Sequence, residues 1–428
     1  MNQYKNIYLG HNKMSETANN EIAEKYQQKT DKEHILDNPD TYIGSVENVD
    51  SELYLFDQDS NSIIQKQISY IPGLYKLFDE GIVNCRDHVV RMKQAIQDKK
   101  EHSLPVSYID ICIQDDGTIT MTNDGNGIDV AMHPEYNIWI PELIFGHLRT
   151  STNYNKNEKK IVGGKNGFGF KLVLIWSKEG SIETIDHTRG LKYVQNFTSN
   201  LDEIGKPKIT KCKSKPYTKI SFKPDFDRFG ITGLSEDMKN LLIKRIYDVA
   251  AITDKNIKVK YNSKIISIKT FPQYIDMYIG SKTDSQRVHE EHTNGRWEYA
   301  VALSSTHEFQ QVAYVNGIHT SKGGKHVDYI LHQIIRKLSA YIEKKKKVNV
   351  NANSIKEQLI LFLRCDIENP AFDSQTKDYL NTPSSKFGSS CVVSEKFIEK
   401  VAKMGVMEAA CALTEVKESK AAKKTDGA

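Results

Sequence analysis

Long apolar runs are missing from this chain. Nowhere do about 18 uncharged apolar residues follow one another, so no membrane-spanning helix is expected. The first ten residues, MNQYKNIYLG, lack the apolar core of a secretory signal, and an intracellular protein is expected. Cysteines are few and scattered: Cys85, Cys112, Cys212, Cys365, Cys391 and Cys411 form no CxxC pair. That excludes the usual zinc spacings and a disulfide framework, leaving buried free thiols. Neither sign of charge dominates. A formal net charge of +4 over 428 residues does not by itself argue for nucleic-acid binding; the distribution matters more. The length calls for two or three domains rather than one.

Patterning then divides the chain. Residues 1–30 are polar and poor in apolar positions, and read as an arm. Pro72-Gly73 opens a helical period in which Phe78, Ile82, Cys85 and Val89 share a face. Residues 106–114 alternate, Asp116-Gly117 turns the chain, and Thr118–Thr122 returns, which predicts a hairpin. With further strands near 182–184 and 219–222, this is an α+β sandwich with helices on one face of a mostly antiparallel sheet. A second unit is expected from Asn256, with strands at 298–303 and 311–315, a long helix over 327–344 and a strand at 358–364. Strand, helix, strand in that order predicts a crossover between parallel strands. The division is therefore 1–30 arm, 31–255 first domain, 256–413 second domain and 414–428 linker or chain end.

Three motifs carry chemistry. Glu80 and Asn84 lie four apart on the predicted helix and share a face, extended by Asp87 and His88. The plain reading is a solvated acidic face. The functional one is a carboxylate that activates water beside a carboxamide oxygen able to hold Mg²⁺, a hard cation that takes few protein ligands. Gly81 within the helix costs about 1 kcal/mol relative to Ala, which close approach of another backbone would explain. Asn123-Asp124-Gly125-Asn126-Gly127 is a turn whose Asp124 carboxylate can accept from an exocyclic amine such as adenine N6. Gly163-Gly164-Lys165-Asn166-Gly167-Phe168-Gly169 runs into a predicted helix start. Free N–H groups at such a junction attract phosphate. Ser151-Thr152-Asn153 lies just upstream.

A helix with ExxxN, then DGxG, then GxNGxG resembles the GHKL (Bergerat) ATPases: gyrase-type topoisomerases, heat-shock chaperones, mismatch-repair ATPases and sensor histidine kinases. Further segments narrow the likeness: Pro39-Asp40-Thr41-Tyr42-Ile43-Gly44-Ser45, Phe78-Asp79-Glu80, Glu142-Leu143-Ile144-Phe145-Gly146, Gly323-Gly324-Lys325-His326-Val327-Asp328-Tyr329, and Ile367-Glu368-Asn369-Pro370 through Gln375-Thr376-Lys377. Over about residues 20–412 the chain resembles the ATPase region of eukaryotic-type DNA topoisomerase II, a type IIA enzyme. The resemblance implies a GHKL α/β sandwich followed by a transducer domain of ribosomal-protein-S5-like fold. It also implies ATP and Mg²⁺ as cofactors. Glu80 would be the general base and Asn84 the metal ligand. Asp124 would read adenine, and His88 stands where the family has Asn near the nucleotide. Ser151, Thr152 and Asn153 would line ribose and phosphates. Gly164, Lys165, Asn166, Gly167, Phe168, Gly169 and Lys171 would wrap the triphosphate. Gln375 and Lys377 would reach the γ-phosphate from the second domain.

The resemblance further implies an ATP-dependent homodimer that exchanges its N-terminal arms and captures double-stranded DNA. Lys344, Lys345, Lys346 and Lys347 end the long helix. They are either a basic loop facing that DNA or lysines that complement the helix C-terminus. No Glu-Gly-Asp-Ser-Ala stretch and no cleavage tyrosine domain is found, so the fragment is expected to hydrolyse ATP and not to cut DNA. Departures at Gly81, His88 and Arg149 point to a divergent or viral lineage, acting in a nucleus or a viral factory. The alternatives are another ATPase of the superfamily and a DNA-binding module whose nucleotide site has decayed.

Overall fold

The computed structural model describes residues 25–26, 28–148, 160–164 and 169–425. Two short helices, α1 (Asp31–Asp37) and α2 (Pro39–Tyr42), lead in. Thr30 and Glu33 form a capping box at the start of α1, each satisfying the other's N–H. A hairpin follows, β1 (Val49–Asp57) with β2 (Ser62–Tyr70). Then comes α3 (Pro72–Gln97), which Pro72 opens at a position where its missing N–H costs nothing.

Helix α3 buries the expected face, Phe78, Ile82, Cys85 and Val89, but it also buries Lys76, Asp79, Glu80 and Asp87. The solvated acidic face is not what the molecule has. Gly81 is explained by side-chain packing rather than by another backbone. A Cβ there would sit 2.5 Å from Met121 Sδ and 3.4 Å from a Phe170 ring carbon.

Below α3 lies a nine-stranded sheet. Its strands are β3 (Tyr108–Ile113), β4 (Ile119–Asp124), β5 (Ser177–Asp186), β6 (Leu191–Thr198), β7 (Glu203–Ile204), β8 (Lys208–Lys211), β9 (Tyr217–Pro224), β10 (Lys258–Tyr261) and β11 (Lys264–Ile265). The order is β11-β10-β3-β4-β9-β5-β6-β7, with β8 also on β6. Strands β3 and β4 alternate buried and half-buried positions, as a sheet with one covered face must. The helices α4 (Ile140–Gly146), α5 (Gly169–Ile175), α6 (Glu236–Ile252) and α7 (Phe271–Ile279) complete this unit.

The second unit is a five-stranded sheet of β12 (Arg287–Glu291), β13 (Trp297–Leu303), β14 (Gln310–Val315), β15 (Ile318–His319) and β16 (Leu359–Cys365), ordered β12-β13-β16-β14-β15. Helix α8 (Lys325–Lys346) lies between β15 and β16 in the chain, and β14 pairs parallel with β16, the crossover the pattern predicted. Helices α9 (Ala352–Lys356), α10 (Glu395–Val401) and α11 (Met407–Thr425) follow. Both faces of this sheet are buried. Val312, Tyr314 and Phe362 join the core of the first unit, while Ala313, Val315, Leu361 and Leu363 pack with α8 and α10.

Two expected boundaries move. Strand β10 pairs in parallel with β3, and Phe271, Tyr274 and Ile275 of α7 sit in the first core. The first unit thus runs to about Ile279, because Lys258–Tyr261 completes its sheet instead of starting another. The end of the chain, expected as linker from 414, is helical to Thr425. All six cysteines are unpaired, and no described helix is long and apolar enough to cross a membrane.

Candidate active site

Glu80 sits midway along α3 and is buried. Its Oε1 accepts from Lys377 Nζ at 2.9 Å, a contact that reaches it from the second unit across 297 residues of sequence. Lys76, one turn earlier on α3, lies 3.0 Å from the same oxygen and 3.0 Å from Asp79 Oδ2. Asp79 Oδ1 accepts from Arg245 Nε at 2.8 Å. Burial alone would raise the Glu80 carboxyl, but the Lys377 and Lys76 ammoniums outweigh it and hold Glu80 below its ordinary value. Glu80 is therefore a carboxylate, the form a proton acceptor needs. Asn84 Nδ2 donates to Glu80 O at 2.8 Å, which leaves the carboxamide oxygen as acceptor beside it.

The stem of the glycine-rich loop is anchored from two sides. Asp87, fully buried, accepts from Gly163 N at 2.9 Å and from Gly164 N at 2.9 Å. From the second unit, Asn316 Nδ2 donates to Val162 O at 3.3 Å, and Asn369 N donates to Lys160 O at 2.9 Å. The loop leads to Gly169, the first residue of α5, where a Cβ would come within 2.8 Å of Glu80 Oε2. Lys171 in the same first turn is buried, and desolvation pushes its ammonium down to about 8. Gln375 is half-buried in the loop that carries Lys377. Ser151, Thr152, Asn153, Lys165, Asn166, Gly167 and Phe168, together with Arg149, lie outside the described residues.

Asp124 is not where the sequence reading put it. Ile119, Met121 and Asn123 of β4 form the face under α3; Asp124, next along, points to the other. Its Oδ1 accepts from Ser107 N at 2.6 Å and from Tyr108 N at 3.0 Å, and its Oδ2 accepts from Ser107 Oγ. Asp124 thus ties the turn to the start of β3. Because side chains on a strand alternate faces, the polar residue under α3 is Asn123, one position earlier. The turn itself is needed: a Cβ on Gly127 would stand 2.0 Å from Ile185 O. His88 lies against this turn, its Nε2 3.1 Å from where a Gly125 Cβ would be. Desolvation and the nearby Arg91 push its ring down to about 3, so it is neutral.

Comparison with known proteins accords with this geometry. Residues 270–427 match the family model described as DNA gyrase B. The chain is 44% identical to DNA topoisomerase 2 of Arabidopsis thaliana over 414 residues, 95% of this chain and 27% of the relative. It is also 44% identical to that of Acanthamoeba polyphaga mimivirus over 413 residues, 95% of this chain and 32% of the relative. The chain thus spans about a third or less of the length of these relatives. The crystal structure of the ATPase region of Saccharomyces cerevisiae topoisomerase II superposes with a TM-score of 0.84 at 39% identity, covering 93% of this chain and 100% of that one. The chain belongs to the DNA topoisomerase II family.

The likeness spans both units, so the topoisomerase II arrangement of a GHKL sandwich and a transducer domain is the fold of this chain. Lys344 to Lys347 stand exposed at the end of α8, where Lys347 takes a left-handed conformation that stops the helix. They are far in sequence from every motif above. Lys337, on the same helix, is tied to Glu395 at 2.6 Å and to Val393 O at 2.7 Å. Sequence reasoning missed Asn123, Lys76 and Arg245. Alternation along β4 was the available signal for Asn123. For Lys76 the signal was its spacing of four from Glu80, which sets both on one face of the helix.

Proposed function

We propose that this chain binds ATP between its two units and hydrolyses it, as the ATP-operated clamp of a type II DNA topoisomerase. The observation that carries the reading is the contact of Lys377, from the second unit, with buried Glu80 on the first. In this reading Asn123 accepts from the adenine amine. Lys171 and the loop from Gly164 to Gly169 wrap the phosphates, with Ser151, Thr152 and Asn153 lining the ribose side. A phosphate beside Lys171 would set negative charge next to a desolvated ammonium. Glu80 takes a proton from water as the water oxygen bonds to the γ-phosphorus and the bond to ADP breaks. Gln375 and Lys377 stabilise the charge that shifts during transfer.

The residues present fit Mg²⁺. The Asn84 carboxamide oxygen is a hard donor beside Glu80, and among the described residues no group of three or more His, Cys, Asp or Glu side chains converges. Mg²⁺ held by Asn84 would supply charge that offsets the triphosphate, and as a hard cation it needs few protein ligands. The wider reading is a homodimer that closes on ATP with exchange of arms 1–30 and captures double-stranded DNA, with Lys344 to Lys347 facing it. Its place of action is a nucleus or a viral factory, where such DNA is. A non-hydrolysable ATP analogue should shift this chain from monomer to dimer in sedimentation.

The direct test is Glu80→Ala. Loss of a general base should lower hydrolysis by about 10²–10⁴-fold while analogue binding persists. Turnover within about twofold of wild type would overturn the reading, since that is less than any positioned base contributes.

A further inference from the structure

Two ammoniums hold Glu80 Oε1, and they differ in what fixes them. Lys377 comes from a loop of the second unit, in a left-handed backbone conformation with φ of +66°. Lys76 is part of α3 itself. Its ammonium lies between Glu80 Oε1 and Asp79 Oδ2, 3.0 Å from each. Asp79 is in turn held by Arg245, whose Nη2 donates to Gly317 O at 2.7 Å. Lys76, Asp79 and Arg245 are all buried. Such a cluster contributes little net stability, because desolvation offsets most of the attraction between the charges. Its geometry, however, fixes one oxygen of Glu80 and leaves the other, Oε2, facing Gly169 at the end of the phosphate loop.

We propose that Lys76 is a positioning residue for hydrolysis, the fixed cation that stays on Glu80 Oε1 while Lys377 turns to the γ-phosphate. Without it, the departure of Lys377 would leave a buried carboxylate free to rotate, and Oε2 would lose its aim at the attacking water. The inference rests on the reading of Glu80 as general base. Asp79 and Arg245 hold Lys76 in register from the same side, Asn84 fixes the Glu80 backbone, and Lys171 lies on the facing helix α5.

The test compares Lys76→Met, Lys76→Arg, Glu80→Gln and the double variant Lys76→Met/Glu80→Gln in the whole chain. Binding of a non-hydrolysable ATP analogue is measured beside single-turnover hydrolysis of saturating ATP. Lys76→Met should bind the analogue nearly as wild type does but hydrolyse about 10- to 100-fold more slowly, the scale of a misplaced reacting group. Lys76→Arg should recover most of the rate. The double variant should be no slower than Glu80→Gln, because Lys76 acts only through Glu80. Hydrolysis by Lys76→Met at the wild-type rate would overturn the proposal. So would loss of binding in equal measure with no recovery by arginine, which marks a purely structural role. If Lys76→Met does not fold, Lys76→Gln keeps a donor to Asp79 and carries the same comparison. Wild-type hydrolysis by Glu80→Gln would instead refute the general base itself; a dead Glu80→Gln with a normal Lys76→Met refutes only the positioning role.

Discussion

Replacing Lys377 by alanine separates a structural role from a catalytic one. In this structure its ammonium is buried against Glu80, with the two side chains 8% and 5% exposed. Removing one partner of a buried pair costs about 3–5 kcal/mol when it strands the other charge. Glu80 is not stranded here, because Lys76 remains 3.0 Å from the same oxygen. The loss should then approach that of one hydrogen bond to a charged group, about 1.5–3 kcal/mol. For a protein of this size that lowers Tm by roughly 2–3 °C. Hydrolysis should suffer more. A charge aimed at the transferring phosphoryl group in a dry site contributes about 2.7–4 kcal/mol, so turnover should fall about 10²–10³-fold. Thermal unfolding without nucleotide gives the first figure, and steady-state hydrolysis at saturating ATP, well below Tm, gives the second. If folded Lys377→Ala hydrolyses ATP within about threefold of wild type, Lys377 is only a strut between units, and the assignment to the γ-phosphate is wrong.

Asn123→Ala should weaken binding of an adenine nucleotide by about 1–3 kcal/mol, a lost polar contact, whereas Asp124→Ala should chiefly lower Tm; the reverse pattern in calorimetry would restore Asp124 as the base reader. For Asp79, burial would raise the carboxyl, but Lys76 and Arg245 hold it well below the usual range. A depressed native pKa gives stability that is present above the unfolded value of about 3.9 and lost as pH falls through the native one. Asp79→Asn should therefore be less stable at neutral pH yet lose less stability than wild type on acidification below about pH 5, and parallel denaturation curves for the two proteins would contradict this. Replacing Lys344 to Lys347 by alanine should shrink the stimulation of ATPase by duplex DNA, more at low salt than at high salt and regardless of DNA sequence. An unchanged DNA response would leave the run as a helix end complemented by lysines.

Local order was legible in the chain and long-range pairing was not. The 3.6-residue period of Phe78, Ile82, Cys85 and Val89 and the alternation around Asp116-Gly117 report the burial of single faces, and the elements formed where those periods ran. Burial of the second face of α3 was hidden, because acids and a lysine read as solvated until partners from α6 and the second unit are known. Strand β10 misled for a related reason: four residues, Lys258–Tyr261, carry no mark of which sheet will take them. The shift from Asp124 to Asn123 is a matter of register. A motif fixes the turn to within a residue, but on a strand one residue is the difference between two faces. Lys377 came from resemblance alone, since no periodicity links positions 297 apart.

How the two units are joined decides what nucleotide can move. The joint is not a hinge. Tyr314 of β14 donates at 2.7 Å to Tyr274 of α7, and Tyr274 donates to Asp248 of α6, all of them fully buried. Val312, Tyr314 and Phe362 belong to the same core as Ile111 and Phe78. Opening that contact would expose a continuous apolar face and break the Tyr314–Tyr274 hydrogen bond, which makes rigid-body separation of the units costly. What meets Glu80 is Lys377, on the segment that also carries Gln375, and Gly169, at the end of the glycine-rich loop whose stem is pinned by Asp87 on one side and by Asn316 and Asn369 on the other. In the proposed reading a γ-phosphate arriving there would compete with Glu80 for Lys377 and pull on a stem bonded to the turn after β14. The state of the nucleotide would thereby pass to the second sheet through a few polar contacts, while the shared core stays closed.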